Sequence, residues 1–119
     1  MIETTLDSAR RLVVIRMTGA IRAGELLAAR EGGRTNPVFP PGFRQLIDLG
    51  DATEFDLSSA AVESLASSSS VVPGTKRAIV APRDLPYGMS RIFAVFAERH
   101  GHDVRVFRSL DEAMSWLDD

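Results

Sequence analysis

The segment KRAIVAPRDLPYGMSRIFAVFAERHGHDVRVFRSLDEAMSWL, Lys76 to Leu117, decides the fold class. Its opening residues, Lys76 to Ala81, centre on the unbroken apolar run Ala78-Ile79-Val80-Ala81, as strands covered on both faces do. Asp84-Leu85-Pro86 then opens a helix. Met89, Ile92, Phe93, Phe96 and Ala97 recur at helical spacing and predict one buried stripe. Gly101 should end that helix in the left-handed conformation that glycine tolerates. Val104-Arg105-Val106-Phe107 is the next strand. Ser109-Leu110-Asp111-Glu112 has the pattern of a capping box, opening a last helix expected to bury Leu110, Ala113, Met114 and Leu117. Strand, helix, strand, helix is the alternation that a parallel α/β sheet requires.

Upstream, the same order continues. Ile2 to Asp7 and Arg11 to Gly19 are β-prone runs joined by a Ser8-Ala9-Arg10 turn, which predicts an antiparallel hairpin at the sheet edge. Arg22 to Glu31 reads as a weak helix closed by Gly32-Gly33. Arg34 to Gly42, with Pro37, Pro40 and Pro41, reads as a long loop. Phe43 to Leu49 is a strand, and Gly50 to Glu54 reads as the turn after it. Asp56 is expected to open a helix with Leu57, Ala61, Leu65 and Val62 inward, dissolving at Ser67-Ser68-Ser69-Ser70. The expected fold is a single α/β domain over residues 1–119, ordered ββαβαβαβα. Its sheet has five strands, mixed but mainly parallel, with about four helices.

Composition excludes several functions. The chain has 119 residues, 45% apolar, with a net charge of −2, so it shows no basic footprint for nucleic acid or an anionic membrane. Lys76 is the single lysine among 14 basic residues, a bias read as codon usage rather than phosphate binding. Cysteine is absent, which removes disulfides and thiolate chemistry and fits a reducing compartment. The first residues carry no signal-peptide pattern, and no apolar run reaches the ~20 residues needed to span a bilayer. The expectation is a cytoplasmic protein.

Two segments carry a family resemblance. One is Leu46-Ile47-Asp48-Leu49-Gly50-Asp51-Ala52-Thr53-Glu54-Phe55-Asp56-Leu57-Ser58-Ser59. The other runs from Ala78-Ile79-Val80-Ala81-Pro82 through Tyr87-Gly88-Met89-Ser90-Arg91 to Val106-Phe107-Arg108-Ser109-Leu110-Asp111-Glu112-Ala113. Together they cover about half of the chain, and it resembles the SpoIIAA-like bacterial members of the STAS superfamily, named for sulfate transporters and anti-sigma factor antagonists. In the family's switch members a serine opening the helix after this strand is phosphorylated by a partner kinase, which blocks partner binding. The resemblance implies Ser58 as phosphoacceptor, or Ser59 if one residue is inserted. Where the family motif has serine or glycine, this chain carries Leu57 or Ser59.

The residues also support other readings. Ser58, Ser59 or Asp56 would cap a helix here without any switch. Asp48, Asp51, Glu54 and Asp56 form an acidic cluster near a strand end, without the further acidic pair and lysine of a phospho-acceptor receiver domain. His100-Gly101-His102 has no third ligand at zinc spacing, and no Gly-x-Ser-x-Gly elbow is present. No catalytic residue, cofactor or metal is therefore expected. The expected function is a non-enzymatic regulatory or protein-interaction module that docks through Asp51, Glu54 and Asp56. The alternative is a carrier of an apolar ligand or lipid. Val38 and Phe39 would then serve as its lid or as a homodimer contact.

Overall fold

In a strand whose side chains alternate between two faces, an unbroken apolar run demands cover on both. In the computed structural model, which describes residues 1–26, 28, 42–67 and 74–119, β4 (Lys76–Val80) meets that demand. Its residues from Arg77 to Val80 are all buried. The sheet has the order β1-β2-β3-β4-β5, with β1 (Ile2–Asp7), β2 (Leu12–Arg22), β3 (Arg44–Asp56) and β5 (Asp103–Phe107). β1 pairs antiparallel with β2, and every other neighbour is parallel. Helix α1 covers residues 23–26 and 28, and α2 (Ser59–Ser67), α3 (Asp84–Arg99) and α4 (Leu110–Leu117) follow β3, β4 and β5. The fold class, the edge hairpin and the ββαβαβαβα order all match the sequence reading.

Alternation along β3 and β4 sends neighbours to opposite cores. Leu46, Ala78 and Val80 join Leu12 beneath Ala113 and Leu117 of α4. Ile47, Leu49, Ala52, Ile79 and Ala81 join Ile21 on the other side, with Tyr87 and Phe93 of α3 packed over them. The capping box forms as read, with the Glu112 backbone N–H donating to Ser109 Oγ at 3.2 Å. Gly101, at φ +83°, ends α3 in a Schellman motif: Gly101 N–H donates to the Glu98 carbonyl and His102 N–H to that of Ala97.

Three expectations need correction. Residues Gly50 to Glu54 are not a turn, because β3 runs on to Asp56. Asp48 Oδ1 accepts the Gly50 N–H at 2.8 Å, and the register with β2 slips between Arg16 and Thr18 and again between Gly19 and Ala20. The turn-forming residues thus build bulges within a continuing strand. A Cβ on Gly50 would lie 3.0 Å from Asp48 Oδ1, so a larger residue there would require that side chain to shift. Second, Ile92 is 41% exposed. Pro86, Ser90 and Ala97 are the buried residues of α3, with small Ser90 and Ala97 allowing it to approach the sheet closely. Third, Leu110 is 48% exposed, and Ala113 and Leu117 are the buried residues of α4.

At the end of the sheet where the parallel strands begin, β4 buries a cation. The Arg77 guanidinium stands 5.5 Å from the Phe93 ring, and its Nε donates to Gln45 Oε1 at 3.2 Å. Burial lowers its pKa to about 10. Next to it, the Schellman turn folds His102 inward, leaving Nδ1 buried with no hydrogen-bond partner among the described residues.

Two outcomes follow. Leu117 is 2% exposed, so Leu117→Ala should cost about 2–5 kcal/mol in denaturant unfolding through the cavity it leaves. His102 is held below its usual pKa, first by burial, then by the charges of Arg77 and His100. The unfolded imidazole titrates near ~6.5, so the stability from keeping it neutral is whole above that pH and is lost as pH falls below it. Thermal melts from pH 8 to 5.5 should show that loss, and His102→Gln should flatten it.

Candidate functional site, the outer strand of the β3–α2 rim

β4 pairs only with Gln45–Asp48 of β3, so Leu49–Asp56 continues beyond it in register with β2 alone. The apolar side chains of this extension turn inward: Leu49 and Ala52 are buried and Phe55 is half-buried against Ile21. Its charged side chains turn outward, and Asp51, Glu54 and Asp56 are all exposed. Asp51 is bound by Arg16 of β2 through a hydrogen-bonded ion pair, which raises the Arg16 pKa above its ordinary value. Glu54 and Asp56 make no ion pair among the described residues. Asp56 sits in register with Arg22, and Asp48 with Arg16. The acidic residues are therefore spaced along a strand edge instead of gathered in a loop. Among the described residues no group of three or more histidines or acidic side chains is placed to hold a metal.

The chain leaves β3 at Asp56 and enters α2 three residues later, at Ser59. Ser58, not Asp56, caps the helix: its Oγ accepts the Ala61 N–H at 3.1 Å, and its carbonyl accepts from Val62 N–H. Ser59 is the first helical residue, and both serines are exposed. The inner face of α2 is Val62 and Ala66, with Ala61 and Leu65 half-buried, so the helix is turned slightly from the face expected. No acidic side chain lies in its first turn, which leaves the positive end of the α2 dipole uncompensated from within the helix.

Asp51, Glu54, Asp56, Ser58 and Ser59 are thus each exposed along the outer part of β3 and the start of α2. Val38 and Phe39, the expected lid or dimer contact, lie outside the described residues. His100 is exposed while His102 is buried, so the two do not share an environment. One cluster escaped the sequence reading. Arg108, just after β5, stacks 3.9 Å from the Tyr87 ring centroid and pairs with Asp84 at 2.8 Å, so it joins the start of α3 to the end of β5. Nothing local in the sequence links residues 24 positions apart.

The cap can be tested directly. Ser58→Ala should lower stability by about 1 kcal/mol in chemical denaturation, whereas Ser58→Asp, an equally good cap, should leave it unchanged.

The chain matches no protein-family model and no curated protein. Among solved structures it is similar to an uncharacterised protein of the DUF3478 family with a SpoIIAA-like fold from Shewanella loihica PV-4. The two are 14% identical, with a TM-score of 0.62, over 98% of this chain and 92% of that one. The architecture of this chain is a SpoIIAA-like α/β fold.

Proposed function

We propose that the protein is a non-enzymatic regulatory module that docks a protein partner through the β3–α2 rim. The observation that carries this reading is the outer part of β3, which places Asp51, Glu54 and Asp56 in the open and leads straight into a serine-capped helix start. Carboxylates fixed on a strand keep their spacing, so a basic partner surface would meet a preformed array. The SpoIIAA-like fold supports a role of the STAS kind.

The same rim suits a phosphate switch at Ser58 or Ser59. A phosphate there would meet the unpaired N–H groups and the positive dipole end of α2. It would also add about −1.5 to −2 charges beside Glu54 and Asp56, changing the surface that the partner reads. Because aspartate caps as well as serine, the phosphomimetic variants should leave the fold intact. An apolar-ligand carrier is the competing reading, and native mass spectrometry showing a co-purified lipid-sized mass would favour it.

The test is a pull-down from native lysate with wild type, Ser58→Asp, Ser59→Asp and Glu54→Lys/Asp56→Lys. The rim reading expects the lysine variant to lose the partners captured by wild type. The switch expects at least one aspartate variant to lose them too. Undiminished capture by the lysine variant would rule out the rim, and undiminished capture by both aspartate variants would rule out the switch.

A further inference from the structure

β5 ends the sheet on one side, and among the described residues no strand pairs with its outer edge. Phe107 turns its backbone toward β4, where its carbonyl accepts the Ala81 N–H at 2.8 Å. Backbone groups alternate along a strand, so the N–H and carbonyl of Val104 and of Val106 point the other way. Four hydrogen-bonding groups are left open in a row. Proline, lysine and bulges commonly guard such an edge, and β5 carries none of them. Its central charge, Arg105, is folded over the Trp116 ring, 5.1 Å from the centroid.

The surface beside this edge favours a cation. Side-chain alternation sends Val104 and Val106 to the α3 side and turns Arg105 and Phe107 toward α4. An open cleft of about 590 Å³ lies there between Phe107 and α4. The Phe107 and Trp116 rings, 5.7 Å apart, give it an apolar wall, and Asp111, Glu112 and Asp119 rim it. Trp116 already draws two cations from its own chain, since Lys76 Nζ also stands 5.1 Å from its ring. Lys76 is committed to the Trp116 and Asp119 carbonyls, each at 2.9 Å. Glu112 accepts from the Ser109 hydroxyl. The Asp111 and Asp119 carboxylates enter no hydrogen bond or ion pair among the described residues.

From the open edge and the cleft together we infer that β5 accepts an extended, basic segment of a partner protein as a sixth strand. The segment pairs its backbone with Val104 and Val106. Its side chain opposite Phe107 falls on the α4 side, into the cleft. A lysine or arginine there lays its aliphatic stem on the two rings and carries its charge to the carboxylate rim. A second β5 is a poor occupant, because antiparallel pairing about its centre would set Arg105 against Arg105. The surface shares no residue with the β3–α2 rim and does not depend on that reading.

Trp116 is the single tryptophan of the chain, so its emission reads this surface directly. The probe is a synthetic peptide of about seven residues, valine and threonine alternating around one central lysine, long enough to span β5. Titrated into the full chain, it should shift the Trp116 emission saturably. Replacing its lysine by glutamate, or N-methylating its backbone amides, should each abolish the shift. Asp111→Asn/Asp119→Asn, at two exposed positions, should keep the circular dichroism of wild type and weaken binding roughly tenfold. Glu54→Lys/Asp56→Lys should bind the peptide as wild type does. No shift up to about 1 mM peptide, or a shift that survives N-methylation, overturns the added strand. Equal binding of the glutamate peptide, or an asparagine variant that binds undiminished, overturns the cleft. Loss of binding in the rim variant alone would assign the peptide to the rim and overturn both.

Discussion

Everything in this protein rests on β4 being closed off from water on both faces at once. Ala78 and Val80 can only be buried if α4 lies across one side, and Ile79 only if α3 lies across the other. A strand with that requirement cannot sit at a sheet edge. It forces β3 and β5 to its two sides, and parallel pairing then forces each connection to cross over as a helix. The positions of α3 and α4 follow from the burial demands of a five-residue strand, and α2 packs against α3.

The same logic explains why the outer part of β3 is exposed. β4 is short and β3 is long, so eight residues of β3 continue past their neighbour with β2 as their one strand partner, while Leu49 and Ala52 pack in the core beneath α3 and Arg83 donates to the Ala52 carbonyl. Unpaired edges invite association with other chains, and charge is the usual way to prevent it. Asp51, Glu54 and Asp56 place charge along this edge, and the double slip in register interrupts its ladder. Features that keep a strand edge from aggregating also leave an ordered, charged and accessible surface, on which a regulatory contact can be built.

Much of the fold was legible because it is written in local patterns. The run Ala78-Ile79-Val80-Ala81, the Ser109 to Glu112 box and Gly101 each report one local structural requirement, and the structure meets each. The segment from Gly50 to Glu54 was misread because glycine and aspartate serve turns and bulges alike. Only the presence of a long β2 alongside decides between the two. Ile92 misled for a different reason: periodicity shows that a helix has an apolar side, but α3 has more apolar surface than the sheet can cover. At the rim, Ser58 was legible as a cap, whereas the Arg16–Asp51 pair depends on strand register, which sequence spacing does not reveal.

The last helix shows how far cooperation extends. α4 has no basic residue in its own last turn, yet its closing carbonyls are held by cations from elsewhere. Lys76 Nζ donates to the Trp116 and Asp119 carbonyls, Arg44 to that of Leu117, and Arg10 to the Asp118 carboxylate. These donors come from β4, β3 and the first hairpin turn, so the negative pole of α4 is neutralised only once three distant parts of the chain have assembled beneath it. The negative end of α4 is therefore clasped only within the assembled sheet, and isolating the second half of the chain would strip the helix of two of its three clasps.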